Sequence, residues 1–549
     1  RDGEQENYLS PKTHSVIVRL SGAVPDGATC NWSFDDGTIP PQQINAACSE
    51  AVQPRLRYGK LTVAAVGITL PDNTVESVST EIRVRDLLIA GLGDSVASGE
   101  GNPDKPVALA DDGFCFRRFL GTARSEYFRP SRLGYQSDKT CEDTASGLDG
   151  AADWFRHGAR WMSAACHRSL YSHQLRAALA LAIENKHLAV TFIPRACSGA
   201  SIEVGLFDSQ GASECPPRGR CAGSAPAQID QLRELLTKAR KESADRKLDL
   251  VLLTIGANDV KFSGLVADVM ITAGVERVLF NQGGLIAFVP EAQRILDRGF
   301  PADFAKLRTA LKPLVGGNLS RVVYVSYGHP ALRNGAPCPG GRDGLDVHPA
   351  FTADGERLRN VTDFVLTKFL PKVKALARCE GGAKCASLST DRMTFVDSHQ
   401  LEFSQHGLCV RAPSDPVFDR DCFKADGHSF DPDPVTAAAQ PLACADPPGE
   451  FRPYASRARW IRTANDSYFT AMTFPRGMPS VMQPSNIHDA TWGALSAVYG
   501  GAFHPSAEGQ AAMADATLPA VRDVLGLKAP PAVIAAPLPP PVEIAPPPP

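Results

Sequence analysis

The sequence predicts an α/β protein: a parallel sheet with helices on both faces, preceded by a small all-β sandwich. Three observations predict it. Apolar runs that end in glycine or small polar residues recur beyond residue 86, as strands buried on both faces do. Stretches with helical spacing lie between them, so strand and helix alternate. Before residue 85 the runs are instead short, alternate apolar with polar, and are divided by turn residues at short intervals.

Composition sets the class. The chain has 549 residues, too many for one average domain. Hydrophobic content of 43% and charged content of 21% fit a globular protein with a sizeable core. A net charge of −3 with no long basic run argues against a nucleic-acid partner. No apolar run reaches membrane-spanning length, because Asp268, Glu276 and Arg277 interrupt the longest one. Fourteen cysteines point to an oxidising compartment, and without paired Cys-x-x-Cys spacing they do not suggest zinc. The chain starts at Arg1, which is read as the mature or trimmed form of an exported protein, secreted, periplasmic or at the cell surface.

In chain order, residues 1–12 are polar and expected to be loose. Residues 13–85 carry the alternating runs Val16–Leu20, Cys30–Phe34, Leu61–Val66 and Ser79–Val84, with Cys30 and Cys48 expected to pair. From residue 86 to 527 comes the larger α/β domain. Leu87–Ala90 is a buried strand ending in Gly91-Leu92-Gly93-Asp94-Ser95. A long irregular segment, 102–160, follows, in which Cys115 and Cys141 are placed as a loop closure. Ser169–Lys186 has helical spacing and leads to the strand Ala189–Ile193, then to Arg195-Ala196-Cys197-Ser198-Gly199-Ala200. Cys215 and Cys221 are expected to form a local bridge, as are Cys379 and Cys385. The helix Gln228–Lys241 precedes the strand Leu250–Ile255, which ends in Gly256-Ala257-Asn258-Asp259.

Phe262–Leu296 reads as an apolar, helical cap in which Leu265, Val269, Ile271, Val278, Leu279 and Ile286 would meet a substrate chain. Strands at Arg321–Tyr327 and Met393–Asp397 flank a long helix over Asp354–Ala377. His399, His406, His428 and Asp431 fit no metal-ligand spacing, so no metal is expected. Cys338, Cys409, Cys422 and Cys444 cannot be paired from the residues alone. Phe503-His504-Pro505-Ser506 opens a last helix, Ser506–Val524. Residues 528–549 are a Pro-rich tail, expected to be extended and disordered.

Serine, glycine, asparagine and histidine, each just after a strand or before a helix, are what acyl transfer needs: a nucleophile, its base and oxyanion donors. On the blocks around Ser95, Cys166-His167-Arg168-Ser169, Ala196–Ala200, Asn258 and His504, the chain resembles the SGNH hydrolases, the GDSL esterase/lipase family, in its secreted bacterial branch. The blocks occur in family order between residue 87 and about residue 524. No Gly-x-Ser-x-Gly elbow occurs, which disfavours the α/β-hydrolase fold. The resemblance implies a three-layer α/β/α, flavodoxin-like domain. It also implies a Cys166–Cys197 bond bracing Gly199 and a Cys338–Cys409 bond, leaving Cys422 with Cys444. Trp32 and Phe34 ahead of Asp35-Asp36-Gly37 are similar to PKD-like, immunoglobulin-type modules.

The resemblance implies that Ser95 Oγ attacks an ester carbonyl with His504 as base. The N–H groups of Ser95 and Gly199 and the amide of Asn258 would hold the oxyanion. Asp94 and Arg168 are placed as structural support. The family usually carries aspartate three residues before the histidine, where this chain has Gly501. A backbone carbonyl, that of Gly501 or Ala502, is therefore expected to orient the imidazole, with Asp489 as the alternative. The expected function is an exported carboxylic-ester hydrolase, a lipase, esterase or phospholipase, with no cofactor. A deacetylase of O-acetylated glycans, or an acyltransferase, would use the same site. A non-catalytic surface-binding protein, held through a ligand of the first module, is the remaining alternative.

Overall fold

The nine-residue strand Arg85–Gly93 lies inside the larger sheet, paired on both sides, and its neighbours explain its composition. In the computed structural model, residues 8–22, 24–105, 159–213, 223–271, 274–341, 353–380, 389–411, 458–463 and 501–529 are described, with four short backbone pairs inside 116–135. The first seven strands in the chain are β1 (Thr13–Ser15), β2 (Thr29–Asp35), β3 (Gln42–Ala47), β4 (Arg55–Arg57), β5 (Leu61–Thr69), β6 (Val75–Arg83) and β7 (Arg85–Gly93), the last belonging to the second half. Four more belong to the second half: β8 (Leu188–Pro194), β9 (Leu250–Thr254), β10 (Val322–Val325) and β11 (Thr394–Val396).

The second half carries a five-stranded, all-parallel sheet in the order β8-β7-β9-β10-β11. Leu87, Leu88, Ile89, Ala90 and Leu92 of β7 are all buried, so consecutive residues face protein on both sides of the sheet. That is why the run shows no alternation. Each such Leu or Ile contributes about 1.5–3 kcal/mol by leaving water. The β9 sequence Leu-Val-Leu-Leu-Thr is buried throughout for the same reason. Register brings Gly91 beside Pro194 and Gly93 beside Thr254, so the loops leaving β7, β8 and β9 emerge at one edge. The chain is thus a mixed α/β protein with a parallel five-stranded sheet and several antiparallel ones.

In the first half, β3-β2-β5-β6 form an antiparallel sheet and β1-β4 a two-stranded ribbon. Alternation is plain in β2, where Cys30, Trp32 and Phe34 point inward, and in β5, where Thr62, Ala64, Val66 and Ile68 do. Val16 and Leu56 of the ribbon side close the same core. Cys30 and Cys48 are bonded across it. Only Val84 separates β6 from β7. Residues 8–12, expected to be loose, are docked instead: Tyr8 O accepts from Thr191 Oγ1 (2.9 Å), Leu9 O from Arg246 Nε (2.8 Å), and Ser10 Oγ donates to Ala239 O (3.0 Å). Backbone and hydroxyl groups make these bonds, which a polar composition conceals. Residues 1–7 lie outside the described residues.

The helices that frame the site are α1 (Ser95–Ser98), α2 (His173–Glu184), α3 (Gln228–Arg240), α4 (Phe262–Met270), α5 (Gly274–Gln282), α6 (Val289–Arg298) and α7 (Phe300–Leu311). The long helix expected over Asp354–Ala377 is present as Gly355–Phe364, a wider turn at Val365–Phe369, and Leu370–Arg378. The last helix is Ala507–Leu525, capped by Ser506, whose hydroxyl accepts from Gly509 N–H (3.3 Å). Among the described residues no helix is long and apolar enough to cross a membrane.

Cys166–Cys197 and Cys338–Cys409 are bonded. Cys379 is also in a disulfide. The remaining pairings fall on Cys115, Cys141, Cys215, Cys221, Cys385, Cys422 and Cys444, which lie outside the described residues, as do the 528–549 tail beyond Ala529 and the aromatic side chains of 114–128.

Candidate active site

Gly93 ends β7 with φ +136°, and a side chain there would stand 1.9 Å from Thr254 O, so only glycine fits. Its own polar groups are satisfied beyond the sheet by one side chain and by Cys197 N–H, which donates to Gly93 O (3.0 Å). Gly93 N–H donates to Gln228 Oε1 (3.0 Å), and Gln228 Nε2 donates to Gly93 O (2.8 Å). The chain then turns at Asp94, whose carboxylate accepts from Val96 N–H (3.0 Å) and starts α1 with Ser95 as its first residue.

His504 arrives from the other end of the chain. Its Nε2 lies 2.6 Å from Ser95 Oγ, and its Nδ1 lies 3.0 Å from Ala502 O. A carbonyl only accepts, so Nδ1 carries the proton and Nε2 is left free to accept from the serine hydroxyl. Gly501 makes this approach possible. A Cβ there would meet Gly101 N and Cα at 2.4 Å. Asn102 Nδ2 donates to Pro505 O (2.8 Å) and ties the two segments further. Protein surrounds the His504 imidazole, whose edge opens on a cavity. Burial holds its pKa below the usual histidine value, opposed by Glu100 and the Ala502 carbonyl.

Gly199 follows β8 with φ +82°, beside the Cys166–Cys197 bond. Among the described residues, the N–H groups of Ser95 and Gly199 donate to no acceptor. Asn258, just after β9, donates through Nδ2 to Ala200 O (2.9 Å), leaving its second amide hydrogen available. Ser95, Gly199, Asn258 and His504 all line one cavity of about 350 Å³. Arg168 stands back from it and donates to Ala196 O (2.8 Å); burial lowers its pKa to about 10. Asp489, the distant alternative partner for the imidazole, lies outside the described residues.

The rest of that cavity is apolar. Phe262, Val266 and Met270 of α4, with Ile271, Phe280 and Leu285, form its wall. The wall differs from the cap residues anticipated from sequence. Leu265, Val269 and Ile286 are buried in the core and Val278 is exposed, so of the side chains described only Ile271 reaches the cavity. The 262/266/270 stripe is one helical face and 265/269 the next; both are apolar, and spacing alone cannot say which faces the sheet.

Several residues at the site escaped the sequence reading. Tyr327 donates its hydroxyl proton to Asp94 Oδ2 and accepts from Ala257 N–H (3.0 Å), linking the serine turn to the asparagine loop. Burial pushes Asp94 up to about 7. Glu100 holds His167 Nδ1 at 2.8 Å, and the His167 ring stacks on Trp161 with centroids 4.3 Å apart. Glu100 and His167 both line the cavity. The one available signal was a carboxylate between two glycines, Gly99 and Gly101, on the loop after the serine. Two of the histidines weighed as metal ligands have other partners: His399 Nε2 donates to Ser326 O (2.9 Å), and His406 bonds to Ala458 O and stacks on Trp460. His428 and Asp431 lie outside the described residues.

No family model and no curated protein matches the sequence. Among solved structures, the chain is similar to NanS at 12% identity with a TM-score of 0.17, over 45% of this chain and 80% of that one. A likeness this slight decides neither fold nor chemistry.

Proposed function

We propose that the chain is a serine ester hydrolase acting on apolar acyl esters through a Ser95–His504 dyad. One observation carries this: a serine hydroxyl 2.6 Å from an imidazole whose other nitrogen is fixed by a backbone carbonyl, at the mouth of an apolar cavity. Serine is a weak nucleophile until a base takes its proton. As Ser95 Oγ bonds to the ester carbon, its proton passes to His504 Nε2 and the carbonyl electron pair moves to oxygen. That oxyanion meets the N–H groups of Ser95 and Gly199 and the amide of Asn258. Collapse expels the alcohol, which takes the proton from His504, and water repeats the sequence on the acyl-enzyme.

The Ala502 carbonyl serves where an aspartate would otherwise stand. In this reading residues 86–527 form a three-layer, flavodoxin-like SGNH domain. The observed strand order, second-first-third-fourth-fifth in chain sequence, supports that reading. Residues 13–85 form an immunoglobulin-like module ahead of it. The disulfides favour an exported protein. The cavity wall favours an acyl chain over an acetyl group, because a small polar ester would leave that surface uncovered.

The test is hydrolysis of p-nitrophenyl esters from acetate to palmitate by the wild type and Ser95→Ala. The expected result is turnover that rises from acetate to a medium chain and falls to background in the variant. Equal rates in both proteins would remove the proposal.

A further inference from the structure

Among the described residues no carboxylate bonds the His504 ring, yet a buried one lines the same cavity and takes no part in the proton transfer. We propose that Glu100, paired with His167, is a positioning residue that steadies the positive charge His504 acquires when it takes the Ser95 proton. The proposal rests on the hydrolase reading for its purpose, and on geometry for its substance.

Glu100 comes just after Gly99, which caps α1, and its N–H donates to Ser95 O (3.0 Å). The next residue, Gly101, packs against Gly501, in the turn that sets the imidazole. The carboxylate is therefore fixed to both halves of the dyad by backbone. Its side chain is buried and lines the same cavity as Ser95 and His504. His167 closes the far side, with Nδ1 at 2.8 and 2.9 Å from the two oxygens. The αL backbone of His167 (φ +44°), the Trp161 stack and the neighbouring Cys166–Cys197 bond fix that ring.

Burial alone would raise the Glu100 pKa. The charge and hydrogen bond of His167 outweigh it, with help from His504 and the Ser198 hydroxyl, and hold the group below the usual carboxylate range. A carboxylate kept ionised in a low-dielectric wall favours a nearby cation far more than it would in water. Among the described charged groups near the ring is Arg462, whose backbone N–H donates to His504 O (2.8 Å) and whose guanidinium bonds Asn102 Oδ1 (3.0 Å). Glu508, on the last helix, bonds the Ser506 hydroxyl (3.1 Å). Around the imidazole, Glu100 favours the charged form and His167 opposes it more weakly. In the proton transfer Ser95 Oγ–H breaks, His504 Nε2–H forms, and Glu100 exchanges nothing.

A carboxylate that merely braces the 165–169 turn would affect stability and leave His504 alone. The experiment separates these roles without depending on turnover. Full-length protein labelled with ¹³C at histidine Cε1 is titrated by NMR, the His504 signal being identified by its loss in His504→Asn. In Glu100→Gln, which keeps the size and an acceptor for His167, the His504 midpoint is expected to fall by about one pH unit, a tenfold loss of proton affinity. Glu100→Asp is expected to recover part of it. On a medium-chain ester, kcat falls with KM little changed. An unchanged midpoint overturns the proposal whatever happens to turnover or melting temperature. If Glu100→Gln does not fold, the Glu100→Gln/His167→Gln pair removes the opposing histidine as well, and a smaller fall of the His504 midpoint is expected of it. A shifted midpoint in a protein whose wild type hydrolyses no ester upholds the coupling and removes the hydrolase reading instead.

Discussion

Two histidines face one cavity, and they are held in opposite ways. His504 rests its Nδ1 on a backbone carbonyl and points Nε2 at a serine. His167 rests its Nδ1 on a carboxylate and stacks its ring on Trp161. The familiar pairing of base with acid is thus divided: the acid belongs to the histidine that is not on the serine. A neutral carbonyl can fix a tautomer, but it supplies no full charge to steady an imidazolium. Orientation and charge compensation come from different residues at this site.

That division can be broken by substitution. His504→Ala is expected to cost the most turnover, about 10⁴-fold or more, with little change in melting temperature. His167→Ala is expected to show the reverse emphasis. It leaves Glu100 buried without its partner, which costs about 3–5 kcal/mol of stability, read by urea unfolding. Similar losses of stability in both variants would erase the distinction.

Asn258→Ala comes next, with about a 10²–10³-fold loss in kcat and an intact fold. Met270→Trp, which fills the apolar wall, should lower kcat/KM for long-chain esters about tenfold and spare acetate, checked across a chain-length series. Asp489→Asn is expected to change kcat by less than about threefold, since the Ala502 carbonyl already orients the ring. A loss of orders of magnitude there would restore a triad.

Acidity sharpens the same contrast. Burial pushes His173 and His399 down to about 4 and lowers His504 as well. Folding therefore holds these rings neutral while the unfolded chain binds protons near pH 6.5. Their stabilisation is present above that value and is lost as pH falls toward 4. Hydrolysis is expected to persist somewhat below pH 6.5 and then fail, in a kcat/KM–pH profile, as His504 protonates.

Much of the framework was legible because it rests on local chemistry. β7 and β9 show themselves as apolar runs buried on both faces, and Ser506 marks the last helix by its capping hydroxyl. Ser95, Gly199, Asn258 and His504 could be singled out because each stands beside such an element. Glu100 and Tyr327 could not, for their roles depend on partners 67 and 233 residues away. The cavity wall was misassigned by one helical face, since α4 is apolar on both sides.

The most direct measurement is covalent. A fluorophosphonate, which bonds only to an activated hydroxyl, is incubated with the full chain, and the digest is analysed by mass spectrometry. A single adduct on the Ser95 peptide, absent from His504→Ala, is the expected result. No adduct, or an adduct formed equally well without His504, would contradict the dyad.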